Sequence, residues 1–408
     1  MSGHYDALET RDRVERERDL FARLPAQLAH AKAKSVFYRE ALASVEVARV
    51  DSRAALAKLP ITRKSELTEL QARERPFGGL NATPPSGLAR IFASPGPIYD
   101  PEGREPDFWH TARGLFAAGF RAGDVVLNCF SYHLTPAGSM FETGLHSLGC
   151  AVIPGGVGQT ELQARAVGDL RPACYVGTPS FLKLIIEKCD ELGIDASSIR
   201  RAQVSGEAFM PAVKSFLASR DIAGFQAYGT ADLGVIAYES EARDGLIASE
   251  EMIVEIVRPG TGDPVAEGEV GEVVVTRFNR DYPLVRFATG DLSATLAGVS
   301  PCGRTNMRIK GWMGRADQAT KVRGMFVHPH QVAEVVKRHG LARARLVVGN
   351  EAGEDRMVLK VEGTDASNAA AIEATVRDVL KVRGEVAFVA PGSLPNDGKV
   401  IEDSRTYS

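Results

Sequence analysis

Apolar residues recur in short blocks from about residue 124 onward: Val125–Phe130, Cys150–Pro154, Ala173–Gly177, Ala202–Ser205 and Gly224–Tyr228. Between the blocks, Thr160–Leu170, Pro179–Leu192 and Met210–Ser219 return their apolar side chains at helical spacing. Apolar strands alternating with amphipathic helices predict βαβ units and a mostly parallel sheet. In such sheets ligands sit beyond the carboxyl ends of the strands. The residues that close each block therefore carry the chemical interest: Pro154-Gly155-Gly156, Gly177-Thr178-Pro179-Ser180, Ser205-Gly206-Glu207 and Tyr228-Gly229-Thr230.

Upstream, residues 8–44 carry Leu20, Phe21, Leu24 and Leu28 at helical spacing and predict one or two surface helices. In Leu59-Pro60-Ile61-Thr62-Arg63-Lys64-Ser65-Glu66-Leu67, Thr62 is expected to cap a short helix with Ser65 and Glu66 in its first turn. Beyond residue 245 the period drops to two, and Met252–Val257 with Val270–Thr276 predicts an antiparallel hairpin. After Gly314-Arg315-Ala316-Asp317 the pattern changes again. It predicts a hairpin over Thr320–Phe326, a helix over Gln331–His339, strands near 344–348 and 356–361, a helix near 366–381 and a strand near 385–389. The expected fold class is α/β. A large N-terminal domain, 1–313, holds mostly parallel sheets and a β-rich subdomain, and a small mobile α+β C-terminal domain spans 314–408.

Composition narrows the function. The 408 residues are 44% hydrophobic and 25% charged, with a net charge of −3, which excludes disorder and a basic nucleic-acid or membrane footprint. No window reaches the roughly 20 apolar residues of a membrane helix, and the N-terminus lacks a signal-peptide core. Five scattered cysteines without a CxxC pair read as reduced core thiols of a cytoplasmic protein. The 40 glycines are unusual, and glycine is placed where backbone turns tightly or approaches a ligand.

Four constellations carry candidate chemistry. Tyr228-Gly229-Thr230-Ala231-Asp232 joins an aromatic plane, a flexible backbone and a carboxylate that suits a divalent cation such as Mg2+. Asp291, beside Gly290, can accept two hydrogen bonds from a ribose diol. Gly314-Arg315-Ala316-Asp317 and Lys321-Val322-Arg323-Gly324 set cations beside glycines, and Leu394-Pro395-Asn396-Asp397-Gly398-Lys399 puts a lysine on a turn.

Taken in this order, the set resembles the AMP-forming adenylating superfamily of acyl-CoA ligases, most closely the phenylacetate-CoA ligase family. Pro301-Cys302-Gly303-Arg304-Thr305, Arg323–Pro329 and Leu59–Lys64 also look like this family. The resemblance implies a two-step reaction: a carboxylate attacks the α-phosphate of ATP, and CoA then captures the acyl group from the acyl-adenylate. It implies that Lys399 is catalytic and that Asp317 is the hinge of the small domain. Ser205, Gly206, Glu207, Tyr228, Gly229, Thr230, Asp291 and Arg315 would bind nucleotide, Asp232 magnesium, and Arg323 and Gly324 CoA. Tyr132, His133, Ala137 and Gly138 would line the pocket of an aromatic, phenylacetate- or benzoate-like acid. The family expectation for assembly is a homodimer.

The chain also departs from that pattern. Where the family has a Ser/Thr/Gly-rich phosphate loop ending in lysine, Phe92–Gly103 carries prolines, Asp100 and Glu102, and no lysine. Pro lacks the N–H that a phosphate needs. Some relatives hold a structural zinc in the stretch corresponding to Tyr238–Ile247 and near the Cys302 motif. Ser240, Ile247 and a lone Cys302 cannot supply four ligands, so no structural zinc is expected. The alternatives to a working ligase are a descendant that only binds an acyl-adenylate, acyl-CoA or aryl acid, and an adenylating enzyme that loads a carrier protein.

Overall fold

Continuous burial on both faces explains the central sheet. Leu127, Tyr175, Val176, Ala202 and Val204 have almost no exposed surface, so their strands gain by lying between two helical layers. The computed structural model describes the chain apart from residues 1–2, 95–96, 319, 324, 352–353, 396–398 and 406–408. For 317, 321, 326, 330, 351 and 354 it describes the backbone alone. The chain divides into two compact units, Met1–Thr289 with Ala294–Gly311, and Gly290–Ser293 with Trp312–Ser408.

In the first unit a nine-stranded sheet runs in the order 295–296, 308–309, 246–248, 234–239, 223–230, 201–204, 174–177, 125–128 and 151–154. The five strands from Val125–Asn128 to Ala223–Thr230 pair in parallel. The strands beyond Thr230 return antiparallel. Helices Ala137–Leu148, Thr160–Leu170, Pro179–Leu192 and Pro211–Ala218 cross between the parallel strands. Two of them end at a left-handed glycine, Gly149 and Gly193. The predicted hairpin forms, Met252–Val257 pairing antiparallel with Gly271–Arg277. The strands Gly234–Glu239 and Leu246–Ala248 were not read from the sequence, because every residue in them is buried and no alternation marks them.

Two local expectations are corrected. Thr62 caps no helix: Thr62–Arg63 is a short strand, parallel to Phe287–Ala288, and the Thr62 N–H donates to Arg286 O at 3.1 Å. A 3₁₀ turn over Lys64–Glu66 holds Ser65 and Glu66 as expected, with Arg63 in place of Thr62 before it, and leads into the α-helix at Leu67. The β-branched Thr62 gains a ladder position and a buried site, which outweighs its capping preference. Phe92–Gly103 is not an open loop either. Arg90–Ser94 and Ile98–Glu102 pair antiparallel, and Ser94 opposite Ile98 leaves three residues between the strands.

The N-terminal segment is strapped to this unit by charge. Glu9, fully buried, accepts from Tyr238 Oη at 2.8 Å, Arg304 Nε at 3.1 Å and the Tyr5 N–H at 2.8 Å. Arg16 reaches Glu250 at 2.9 Å, also out of solvent. Arg286 holds a positive φ of 42° and reaches Glu255 and the carbonyls of Ala57, Leu59 and Gly262.

His110 supplies a pH prediction. Burial first, then Arg277 and Arg113, push its imidazole down to about 3. The folded chain therefore binds this proton later than the unfolded chain, whose imidazole titrates near 6.5. The contribution to stability is complete above pH 6.5 and is lost as pH falls toward 3. Urea midpoints should drop progressively below pH 6.5, and His110→Asn should flatten that slope.

The second unit has its own core, with Val332, Leu346, Val348, Leu359, Ile372 and Val376 at its centre. Its sheet runs in the order 385–389, 354–362, 344–351 and 401–403. Helices Pro329–Arg338 and Ala369–Leu380 pack in the same unit, and Thr320–Val322 pairs with Met325–Val327. The Ile401–Asp403 strand is too short for periodicity to reveal. His328 is structural, as the helix N-cap in a capping box with Gln331.

Candidate active site

In the first unit the predicted residues gather at the carboxyl edge of the parallel strands. Ser205 follows Arg201–Val204, and its Oγ donates to Ala227 O at 2.7 Å, tying one strand end to the next. The Glu207 carboxylate accepts the Ser180 N–H at 2.7 Å, joining the ends of two further crossovers. Gly206 is exposed at φ 83°, and a Cβ there would lie 3.6 Å from Thr178 and 3.8 Å from Phe130. Tyr228 is largely buried, and its hydroxyl donates to Thr289 Oγ1 at 3.2 Å. Most of its ring faces the core. Gly229 and Thr230 end the strand, half-exposed, and the register slips between Tyr228 and Gly229. Gly229 has to be glycine: a Cβ would meet Gly234 O at 2.4 Å.

The acid-pocket candidates form a loop and helix start beside this edge. Tyr132 Oη donates to Glu142 Oε2 at 2.7 Å and accepts from Asn128 Nδ2 at 2.8 Å. Burial first, then Glu142, pushes its phenol well up, so Tyr132 acts as a fixed neutral donor. Ala137 and Gly138 open the helix Ala137–Leu148. Gly138 packs tightly, since a Cβ there would lie 2.8 Å from both Ser131 O and the Tyr132 ring. His133 is exposed. The 90–102 hairpin joins the same region through the Ala93 N–H to Leu134 O bond of 2.9 Å.

Asp232 departs most from expectation. Its side chain is fully buried, and Oδ2 takes the Lys64 ammonium at 2.6 Å instead of facing an open cation site. Asp100, also buried, stands next to it. Burial first, then the Asp232 charge, raises the Asp100 carboxyl well above the usual range, against the pull of Ser94 and Lys64. The magnesium ligand predicted at Asp232 is thus already ion-paired. Sequence reasoning missed this grouping, because Lys64, Asp100 and Asp232 are far apart in the chain. The one available signal was the surplus acid at Asp100. Glu102 pairs with Arg90 at 2.9 Å.

Cys302 is held by hydroxyls and a guanidinium. Ser240 Oγ donates to its Sγ at 3.3 Å, Ser300 Oγ lies 3.1 Å away and Arg304 Nη1 donates at 3.5 Å. Burial opposes ionisation, but these donors outweigh it and hold the thiol below its ordinary range. Among the described residues no group of three or more His, Cys, Asp or Glu is placed to hold a metal ion.

The second unit presents its own candidates. Asp291 Oδ1 accepts from Trp312 Nε1 at 3.0 Å and Arg315 Nη1 at 3.3 Å, and Asp291 bridges Arg315 through the backbone. Arg323, exposed at φ 48°, donates to Asp355 from both its backbone and its guanidinium. Gly324 and Gly398 lie outside the described residues, as does Gly96 of the hairpin connection, and Asp317 is described by its backbone in a short 3₁₀ turn. Lys399 is exposed, and described residues on either side of it are anchored. Arg343 and Arg345 donate to Pro395 O at 2.7 and 2.9 Å, and Gln318 Oε1 accepts the Val400 N–H at 2.9 Å.

Residues 108–279 match the family model described as AMP-binding enzyme. The phenylacetate-coenzyme A ligase of Aromatoleum evansii is 32% identical over 85% of this chain and 81% of its own. That of Escherichia coli is 30% identical over 97% and 95%. That of Thermus thermophilus is 30% identical over 83% and 80%. Among solved structures, an open conformation of 2-hydroxyisobutyryl-CoA ligase superposes with a TM-score of 0.85 over 98% of this chain and 95% of that one, at 24% identity, and shares the fold. No helix among the described residues is long and apolar enough to cross a membrane. With relatives of this identity spanning most of both chains, the protein belongs to the phenylacetate-coenzyme A ligase family of AMP-binding enzymes.

Proposed function

We propose that the protein catalyses ATP-dependent, AMP-forming ligation of an aromatic carboxylic acid to CoA through an acyl-adenylate. The observation that carries this reading is its membership of a family whose nearly full-length relatives are phenylacetate-CoA ligases. The strand-end cluster Ser205–Glu207 and Tyr228–Thr230 supports an adenylate site, because it lies at the edge where parallel sheets bind nucleotides. Asp291 would receive the ribose hydroxyls and Arg315 would neutralise phosphate. Lys399 would stabilise the charge that develops as the carboxylate attacks the α-phosphate, so its work is positioning and electrostatics. Asp317 would be the hinge for the small unit, and Arg323 with Gly324 would guide CoA. Magnesium would come with ATP. The five free cysteines, four of them buried, support a cytoplasmic setting.

The acid would lie against Tyr132, whose ring, with the Ser131 carbonyl, already fills the space that a Cβ at Gly138 would enter, so a side chain there would displace Tyr132. Gly138→Val is expected to raise KM for an aryl acid about tenfold or more, with a smaller change in the KM for ATP. The scale is the roughly 1–3 kcal/mol of overpacking. Steady-state kinetics with both substrates varied would check this. Incubating the chain with ATP, CoA and phenylacetate or benzoate, and following AMP and the aryl thioester by mass spectrometry, tests the reading itself.

One observation favours a second reading, a descendant that binds an acyl-adenylate or aryl acid without turning ATP over. Only three residues join the paired strands Arg90–Ser94 and Ile98–Glu102, which leaves little backbone to wrap a polyphosphate. Tight binding of a non-hydrolysable acyl-adenylate analogue with no AMP formed from any acid would favour it.

A further inference from the structure

The grouping of Lys64, Asp100 and Asp232 has no part in the chemistry proposed above. Asp232 Oδ2 holds the Lys64 ammonium at 2.6 Å, with the Asp232 side chain 0% and the Lys64 side chain 24% exposed. Asp232 Oδ1 and both Asp100 oxygens have no hydrogen-bond partner among the described residues. The same holds for the hydroxyl of Tyr282, a fully buried ring that feels the charge of both acids. Two carboxyl groups sealed from water need a compensating positive charge or a shared proton, since an unpaired buried charge is strongly destabilising. The chain supplies one such charge itself. Lys64 is delivered by the short turn that follows the Thr62–Arg63 strand, and that strand is fixed by its pairing with Phe287–Ala288.

A divalent ion would satisfy the same carboxylates differently. Magnesium demands six oxygens in near-octahedral array at about 2.0–2.1 Å, usually with several waters among them. Two aspartates could supply part of that shell and waters the rest, but Asp232 Oδ2, which would anchor the ion, already carries an ammonium.

We infer that Lys64 is the resident cation of this turn: its ammonium takes the Asp232 carboxylate that a metal would use, so the nucleotide-free protein has no divalent-cation site there. Lys64 is on this view a positioning residue that pins the 62–66 segment to the Tyr228–Asp232 turn. A consequence, which rests on the ligase reading, is that any metal used in the reaction enters bound to the nucleotide.

The test needs neither ATP nor acid, so its failure is separable from failure of that reading. Mn2+ is the probe, followed on the full chain by the electron paramagnetic resonance of free Mn2+ and by Mn2+-dependent melting. The wild type should leave equimolar Mn2+ free and melt at the same temperature with or without it. Lys64→Met, which leaves two facing carboxylates without their ammonium, should retain one Mn2+ per chain and gain melting temperature from it. The double variant Lys64→Met, Asp100→Asn should lose both effects. Mn2+ retained by the wild type and released by Asp232→Asn would overturn the inference, and so would a folded Lys64→Met that retains none. Should Lys64→Met fail to fold, the wild type decides: Mn2+ left free supports the inference and Mn2+ retained sinks it.

Discussion

Replacing Lys399 by alanine is expected to lower acid-dependent ATP–pyrophosphate exchange roughly 100–1,000-fold, the scale of removing one electrostatic stabiliser of a transition state. In the proposed reaction an anionic carboxylate approaches an anionic α-phosphate, and the ammonium offsets charge that is greatest as they meet. The substitution should leave the fold intact. Lys399 is exposed, and its neighbours Pro395 and Val400 are held by Arg343 and Arg345 on the Pro395 carbonyl and by Gln318 on the Val400 N–H. Melting and far-UV circular dichroism should therefore match the wild type. Capture by CoA of a preformed acyl-adenylate should fall much less than adenylation, because the charge to be offset belongs to the first step. Lys399→Arg should recover only part of the loss, since a planar guanidinium presents its donors differently from an ammonium. Equal loss in both half-reactions would place the lysine's role outside adenylation.

The Glu9→Ala variant should lose about 3–5 kcal/mol of stability, the cost of breaking a buried pair by removing one partner. The carboxylate receives Tyr238 Oη, Arg304 Nε and the Tyr5 N–H with none of its surface exposed, and the Arg304 side chain is itself 2% exposed. Alanine would take the acceptor from a buried hydroxyl and the carboxylate from a buried guanidinium, which would keep its bonds to Cys302 Sγ and Gly3 O. Urea unfolding monitored by tryptophan fluorescence should show the loss as a lower midpoint. Glu9→Gln should cost less, because the amide oxygen still accepts one donor. The strap also explains why the early segment Ala7–Thr10 is ordered on this unit. A midpoint unchanged in Glu9→Ala would show that the segment adds nothing to the unit's stability.

Much of the architecture was legible because period and burial agree. Thr160–Leu170 and Pro179–Leu192 are helices with the bounds that their spacing predicts, and Met252–Val257 pairs with the following strand as its alternation requires. The same local rules misplaced Thr62, where a capping preference lost to a long-range strand pairing with Phe287. They also misread Phe92–Gly103, because a proline-containing segment that looked like a loop is an edge hairpin, and proline is tolerated at edges. The candidate site was legible in one dimension only. The strand-end glycines marked where backbone turns, as Gly229 illustrates. What escaped the sequence was the company that side chains keep: Tyr132 with Glu142 and Asn128, Asp291 with Trp312 and Arg315, and Asp232 with Lys64 and Asp100. Such pairs are set by tertiary packing, and no spacing along the chain encodes them.

The most direct test of the account is isotope exchange between pyrophosphate and ATP across a panel of aryl and short acyl acids, with CoA absent. The account predicts exchange that depends on an aromatic acid and disappears in Lys399→Ala. No exchange with any acid, together with no measurable ATP binding, would contradict it.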